Sequence, residues 1–422
     1  MPRRRHNRAL ATLLVALAAL GGGLAWAEPA SAGRQERKLR AALSEAMRAA
    51  GGGSGAYVGN MTEGGRLFAK RAGDRRTLAS NTKLYSTAAT LGRFGPEERL
   101  ETQVRGAGEL TAAGAWLGDL YLVGGADPTF GSRSFARDYG SEASVEALAT
   151  ALDRAGLRRV MGRIRGDESR HDSRRGGPAS DYQTSGFVGP LSALSFNRGE
   201  SGGGFQSNPP KVAARQLTRA LERRGIGVRD GAGTGTAPPA AAALAGVSSP
   251  PLAGLVRQTN KPSDNFFAEM LAKELGTSPG RGTTDRGANR AQAFAADLGS
   301  RARILDGSGL ARGNRASPRA MVKLLVRLDA RPSFEFAYPA FRSSLPVAGR
   351  DGTLSDRMRG KAAQGRCRAK TGTLPDVSVL SGYCRSRGGD RIAFSFLMSG
   401  IDVEAARDLQ DRMANAIARF RG

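Results

Sequence analysis

Histidine is almost missing from this chain, with only His6 and His171 among 422 residues. His6 sits in a basic leader, so a Ser-His-Asp arrangement is open only through His171. A metal site built on imidazoles is nearly closed off, and Cys367 and Cys384, the only two cysteines, lie together near the C-terminus. Lysine is also scarce, at nine residues beside 55 arginines. Beyond the leader no apolar run is long enough to span a bilayer. Yet 40% hydrophobic and 24% charged residues describe a folded globular chain rather than a disordered one. Any proton transfer must therefore fall to lysines, carboxylates or hydroxyls, with no cofactor and no metal expected.

The leader has the build of a signal peptide. Arg3, Arg4, Arg5 and Arg8 precede the apolar run from Ala9 to Leu20, and Gly21, Gly22 and Gly23 then soften it. Ala25-Trp26-Ala27 and Ala30-Ser31-Ala32 follow as small-x-small sites, which sets residues 1–32 apart with cleavage after Ala27 or Ala32. A retained anchor fits less well, because the run is short and interrupted. The expectation is an exported protein, periplasmic or extracellular and associated with the wall.

Export changes the meaning of the net charge, +26 over the whole chain and +22 without the four leader arginines. In a cytoplasmic protein it would first suggest nucleic acid. Here the arginines are scattered among Gly and Ala with no aromatic interleaving, so no nucleic-acid partner is expected. Coding bias toward arginine accounts for the excess, with attraction to anionic envelope polymers as a by-product.

Export also places the cysteines in an oxidising compartment. Between them, RAKTGTLPDVSVLSGY reads as strand, Pro-Asp turn, strand. A turn centred on Pro375 and Asp376 sets Cys367 opposite Cys384, which favours a cross-strand disulfide over two reduced buried thiols.

The length suggests two domains. Helical periodicity covers residues 35–50, 78–91, 145–155, 212–224, 252–259, 264–275, 285–298, 318–329 and 403–420. Strand-like runs cover 55–60, 65–70, 115–124, 160–167 and 392–399, and others surround Lys370 and Ser378. The Gly/Ala/Pro stretch from Gly231 to Ala243 reads as an interdomain linker. The order of elements suggests one sheet built from both ends of the chain, with an inserted domain between: 33–97 and 241–422 form the catalytic domain, and 98–240 the insert.

Ser80-Asn81-Thr82-Lys83 stands at a predicted helix start, where residues three apart share a face and the Lys83 amine reaches the Ser80 hydroxyl. The helix N-terminus supplies positive potential for an alkoxide. A basic lysine must be neutral, so burial or nearby cations must lower its pKa. On its own the pattern equally describes a capping serine beside a surface lysine. Ser263-Asp264-Asn265 precedes an apolar helix and reads alone as an N-cap. Lys370-Thr371-Gly372-Thr373 ends a predicted strand and reads alone as a hairpin with an exposed lysine. Together, in this order, they form the S-x-x-K, S-D-N, K-T-G set of penicillin-recognising serine enzymes.

The chain resembles the class C low-molecular-mass penicillin-binding proteins, the D-alanyl-D-alanine carboxypeptidase/endopeptidase family. The likeness extends through SDNFFAEMLAKELG, ILDGSGLARGNRASPRAM, SLPVAGRDGTLSDRM, LYLVGGADPTF and SALSFN. It implies an α/β (α+β) fold of the penicillin-binding-protein/serine β-lactamase type, with a central antiparallel sheet flanked by helices and one inserted smaller α/β domain. It implies peptidoglycan stem peptides as substrates and β-lactams as acylating ligands. Ser80 would be the nucleophile, Lys83 its base, and Ser263 the relay to the leaving D-alanine. Asn265 would hold the substrate amide; Lys370, Thr371, Gly372 and Thr373 would line the carboxylate site and oxyanion hole. Relatives usually carry a second domain nested in the insert, which SALSFNRG followed by Gly202-Gly203-Gly204 leaves no room for. Asp167, at a strand end, is either a carboxylate for the stem peptide's diamino acid or a turn aspartate. The rival readings are a serine β-lactamase-related hydrolase, against which stands the missing glutamate-x-x-leucine-asparagine element, and a non-catalytic wall-binding homologue.

Overall fold

The computed structural model describes residues 30–277 and 280–422. Residues 1–29, on which most of the signal-peptide expectation rests, lie outside the described residues. No described helix is long and apolar enough to cross a membrane.

Five antiparallel strands form the main sheet, in the order Cys367–Leu374, Val377–Arg385, Arg391–Ser399, Gly55–Asn60, Arg66–Lys70. The two ends of the chain meet where Gly55–Asn60 pairs with Arg391–Ser399. Period-two alternation gives the sheet two apolar faces. Val377, Val379 and Leu397 pack into the core beneath helix Thr82–Phe94, while Leu380, Phe394 and Phe396 pack against helices Ala30–Ala49 and Val403–Arg419. The Pro375-Asp376 turn pairs Leu374 with Val377, which carries Cys367 opposite Cys384. The two are joined in a disulfide.

A second sheet is built from the middle of the chain, in the order Ala232–Thr234, Ile164–Asp167, Leu120–Val123, Glu101–Gly106, Ala242–Ser248. Helices Val145–Arg154 and Pro209–Glu222 share its core through Leu148, Leu152, Leu217 and Leu221. The architecture is thus an antiparallel catalytic sheet with helices on both faces and a smaller α/β unit inserted, the expected class.

Two local expectations need correction. The Gly231–Ala243 stretch is not a linker, because it holds strand Ala232–Thr234 and begins Ala242–Ser248, which pairs with Glu101–Gly106. Its small side chains hide strands whose stability comes from backbone pairing. Residues 115–124 and 160–167 are not single strands either. Each breaks in the middle, and its halves enter two different sheets. Gly118 adopts φ +132, and a Cβ on Gly162 would lie 2.4 Å from its carbonyl oxygen, so the two breaks pack on one another. Between Asn197 and Pro209 the chain makes only the hairpin Glu200–Ser201 with Gly204–Phe205, and no nested domain.

Candidate active site

Ser80 lies in the 3-10 turn Ala79–Asn81, which runs directly into helix Thr82–Phe94. Every residue from Thr82 to Leu91 is buried, since the helix is enclosed by the sheet and by helices Asn265–Leu275 and Thr284–Asp297. Lys83 is therefore fully buried one turn from Ser80. Its Nζ hydrogen-bonds Ser80 Oγ at 3.0 Å, Asn265 Oδ1 at 2.7 Å and the Ser308 carbonyl at 2.8 Å. Burial lowers its pKa to about 8, against the opposing pull of Asp306, Glu269 and Asp264.

Lys370 is also fully buried and donates to Ser263 Oγ at 2.7 Å and to the Thr371 carbonyl at 2.8 Å. Burial first, then the Lys83 charge, holds it well below the usual lysine value. The effect of the Lys83 charge on Lys370 is thus secondary to desolvation. Asp264, not Ser263, caps helix Asn265–Leu275, accepting from Phe267 N at 2.9 Å. That leaves the Ser263 hydroxyl to Lys370. Ser263 (φ 66) and Ala79 (φ 43) both adopt the left-handed region, strain of about 1–3 kcal/mol each that their surroundings must hold.

The glycine of K-T-G has a steric reason. A Cβ on Gly372 would sit 2.7 Å from the Ser80 nitrogen and 2.6 Å from Val379 Cγ2, so only glycine lets the strand approach the serine turn. Thr371 Oγ1 shares a hydrogen bond of 2.7 Å with Thr353 Oγ1. Thr373 stands exposed at the rim, 3.4 Å from Arg407. Asn265 uses both ends of its amide: Oδ1 accepts from Lys83, and Nδ2 donates to the Phe187 carbonyl at 3.0 Å. Ser80, Ser263, Asn265, Thr371, Gly372 and Thr373 share the lining of one cleft of about 1180 Å³. Among the described residues no cluster suited to a metal ion is found.

Three further residues, to which motif reading assigned no role, build the floor of this cleft. Glu269 lies one turn beyond Asn265 on the same helix face and accepts the Ser308 N–H at 2.9 Å. The carbonyl of the same Ser308 holds Lys83. Asp306 accepts from Gly309 N, Ala311 N and Asn314 Nδ2 at 2.7–2.8 Å, which shapes the DGSGL loop around that carbonyl. Burial and the Glu269 charge push Asp306 up to about 7. The available sequence signal was the i, i+4 spacing of Asn265 and Glu269; nothing in the sequence tied it to residues 306–314.

Asp167 is a correction. It does not line the cleft, and its carboxylate accepts Ser169 N and Ala237 N, both at 2.7 Å, as a clamp inside the inserted sheet. His171 is buried beside Glu274 at 3.3 Å and also lies away from the cleft, so among the described residues no imidazole faces Ser80.

Known proteins share this frame. A 28% identical relative, the D-alanyl-D-alanine carboxypeptidase of Actinomadura sp. (strain R39), aligns over 99% of this chain and 91% of its own length. The carboxypeptidase DacB of Mycolicibacterium smegmatis is 28% identical over 86% of this chain and 80% of its own. The crystal structure of penicillin binding protein 4 (dacB) from Haemophilus influenzae superimposes with a TM-score of 0.75 at 19% identity, covering 88% of this chain and 97% of that one. A penicillin G acylated predatory endopeptidase from Bdellovibrio bacteriovorus gives 0.56 at 20% identity, covering 87% and 92%. The profile of one peptidase family matches residues 35–202 and 204–420, almost the whole described chain, and the protein belongs to that family, the D-Ala-D-Ala carboxypeptidase 3 (S13) family.

Proposed function

We propose that the chain hydrolyses peptidoglycan stem peptides ending in D-Ala-D-Ala through an acyl-enzyme on Ser80, and that penicillins acylate the same serine. The observation that carries this reading is the pair of lysine–serine hydrogen bonds facing one cleft, Lys83–Ser80 and Lys370–Ser263. In the neutral state Lys83 removes the Ser80 proton as Oγ attacks the carbonyl of the penultimate D-alanine. The N–H groups of Ser80 and Thr373 hold the oxyanion, for which the close approach allowed by Gly372 is required. Ser263 passes a proton to the departing amine, and Asn265 holds the substrate amide. Lys370, Thr371 and Thr373 take the terminal carboxylate. The Lys83 ammonium restores the Ser263 proton and becomes neutral again. It then takes a proton from water as the water attacks the ester and returns it to Ser80 Oγ as the ester bond breaks, and the shortened peptide leaves.

The substrate locates the enzyme outside the membrane at the wall, in keeping with the basic leader. In this reading the inserted unit begins at 98 and runs past the expected boundary at 240 to include strand Ala242–Ser248, which pairs with Glu101–Gly106, and 33–97 with the remainder to 422 form the catalytic unit. A class A serine β-lactamase would need a glutamate in a glutamate-x-x-leucine-asparagine context for deacylating water, and a non-catalytic homologue would tolerate loss of a motif residue; all the motif residues stand. The test is incubation with a fluorescent penicillin followed by gel and intact mass, wild type against Ser80→Ala. One adduct is expected on the wild type and none on the variant; no adduct on the wild type, or equal labelling, sinks the mechanism. Digestion of defined muropeptides then separates release of D-alanine from cross-link cleavage.

A further inference from the structure

Away from the cleft, at the disulfide-closed end of the hairpin, lies a groove of about 660 Å³. Five of its eight lining residues are cations (Arg350, Lys361, Arg366, Arg387 and Arg419) and none is a carboxylate. Coding bias does not produce this. With 64 cations in 422 residues, eight positions would carry about one. Some arginines elsewhere are matched by a carboxylate, as in Arg165–Asp119, Arg175–Glu168 and Arg391–Asp329. Among the described residues none of the five groove cations has a carboxylate partner.

The groove is held in shape. The disulfide and the bond from Arg385 N to Arg366 O fix one wall. Arg387 N and Gly388 N close onto the carbonyls of Ala418 and Phe420, joining the hairpin to the end of helix Val403–Arg419. The Arg350 guanidinium lies against Gly365, where a Cβ would sit 2.7 Å from Nη2. The carbonyl end of the helix attracts Arg419 and Arg387. It gives no reason for Arg350 and Lys361, which come from a separate loop region.

We infer that this groove binds a flexible polyanion with phosphodiester repeats. Four of the five cations are arginines, whose planar fork fits phosphate oxygens, and an open groove fits a chain rather than a single small ion. The inference adds to the Ser80 reading a means of holding the enzyme at an anionic envelope polymer, and it rests on that reading only for the location. Arg366 immediately precedes strand Cys367–Leu374 and Gly372 lies six residues further along, about 20 Å at about 3.3 Å per residue, so a polymer in the groove leaves the cleft open.

The mature protein is titrated with a labelled poly(glycerol phosphate) oligomer at several salt concentrations. Wild type is compared with the triple variant Arg366→Gln, Arg387→Gln, Arg419→Gln. A second variant, Arg350→Gln with Lys361→Gln, changes the other wall. A control of equal charge change, Arg137→Gln, Arg215→Gln, Arg219→Gln, lies on the inserted unit. The expected result is at least a tenfold loss of affinity for the triple groove variant and a smaller loss in the same direction for the second. The log–log salt slope of the triple variant falls by about two, at roughly 0.7 for each phosphate no longer neutralised. The control changes by less than threefold. Equal losses in groove and control variants would mean unspecific charge and overturn the site. Tighter, groove-dependent binding to phosphatidylglycerol vesicles or to DNA would overturn the occupant. Fluorescent-penicillin labelling of every variant reports the Ser80 reading separately and is expected to be unchanged.

Discussion

Replacing Glu269 by Gln tests the electrostatics beneath the nucleophile. Lys83, at about 8, is neutral in only about one-tenth of molecules at pH 7, so wild-type acylation should climb close to tenfold per unit below pH 8 and then level off. Glu269 is linked to Lys83 through the Ser308 peptide, and its charge favours the ammonium. The two hydrogen bonds through the Ser308 peptide keep Glu269 Oε1 within about 9 Å of Lys83 Nζ, so at an effective dielectric of about 20 that charge is worth at least about 1.8 kcal/mol, just over one pKa unit. The substitution also lets Asp306 ionise more fully, because the Glu269 charge is one cause of its raised value of about 7. The returned charge reduces the net effect to roughly half a unit to one unit. The sign is definite: without Glu269 the ammonium is less favoured, so the acid limb of acylation moves to lower pH. Stopped-flow acylation by a fluorescent penicillin from pH 5.5 to 9.5 should show it, with the rate at pH 7 rising about two- to fivefold. The Gln amide oxygen keeps the Ser308 N–H, so a matching thermal midpoint separates charge from misfolding. A limb that stays in place, or moves to higher pH, would refute the assignment of Lys83 as the titrating base.

Gly372→Ala would drive a methyl group into the Ser80 nitrogen and Val379, so acylation should fall at least tenfold while circular dichroism stays native; normal acylation would remove the steric argument. Removing the disulfide by Cys367→Ser with Cys384→Ser frees a loop with a sequence separation of 17, worth about 3 kcal/mol. The thermal midpoint should drop by several degrees with labelling at 25 °C retained, and an unchanged midpoint would contradict this. Asp167→Ala removes the acceptor of two part-buried amides at a cost of about 0.5–1.5 kcal/mol each. Preference between stem peptides that differ in the diamino acid should not move, and a changed preference would return Asp167 to the substrate site.

How much could be read without coordinates depended on the range of each signal. Apolar periodicity marked helix 403–420 and strand 392–399 within a residue or two, because side chains on these elements meet a core on a regular spacing. The Pro375-Asp376 turn set a register that carried as far as Cys367 and Cys384. Composition failed where backbone pairing does the holding, as at Ala232–Thr234, and where glycine let one apolar run break between two sheets, as at Gly118.

The sequence by itself determined the chemical vocabulary: one histidine beyond the leader as the sole candidate for an imidazole system, three short motifs rich in lysine and hydroxyl groups, and a fold class that follows from their family. Only the tertiary structure decided the states of those groups. The burial that lowers Lys83 to about 8 comes from helices distant in sequence, and the carbonyl that holds it comes from Ser308. Separating Asp167 from the cleft and gathering five cations around one groove from residues 350–419 likewise required the folded chain. A motif fixes which atoms are present, whereas desolvation and Coulomb energy depend on distances between segments far apart along the chain.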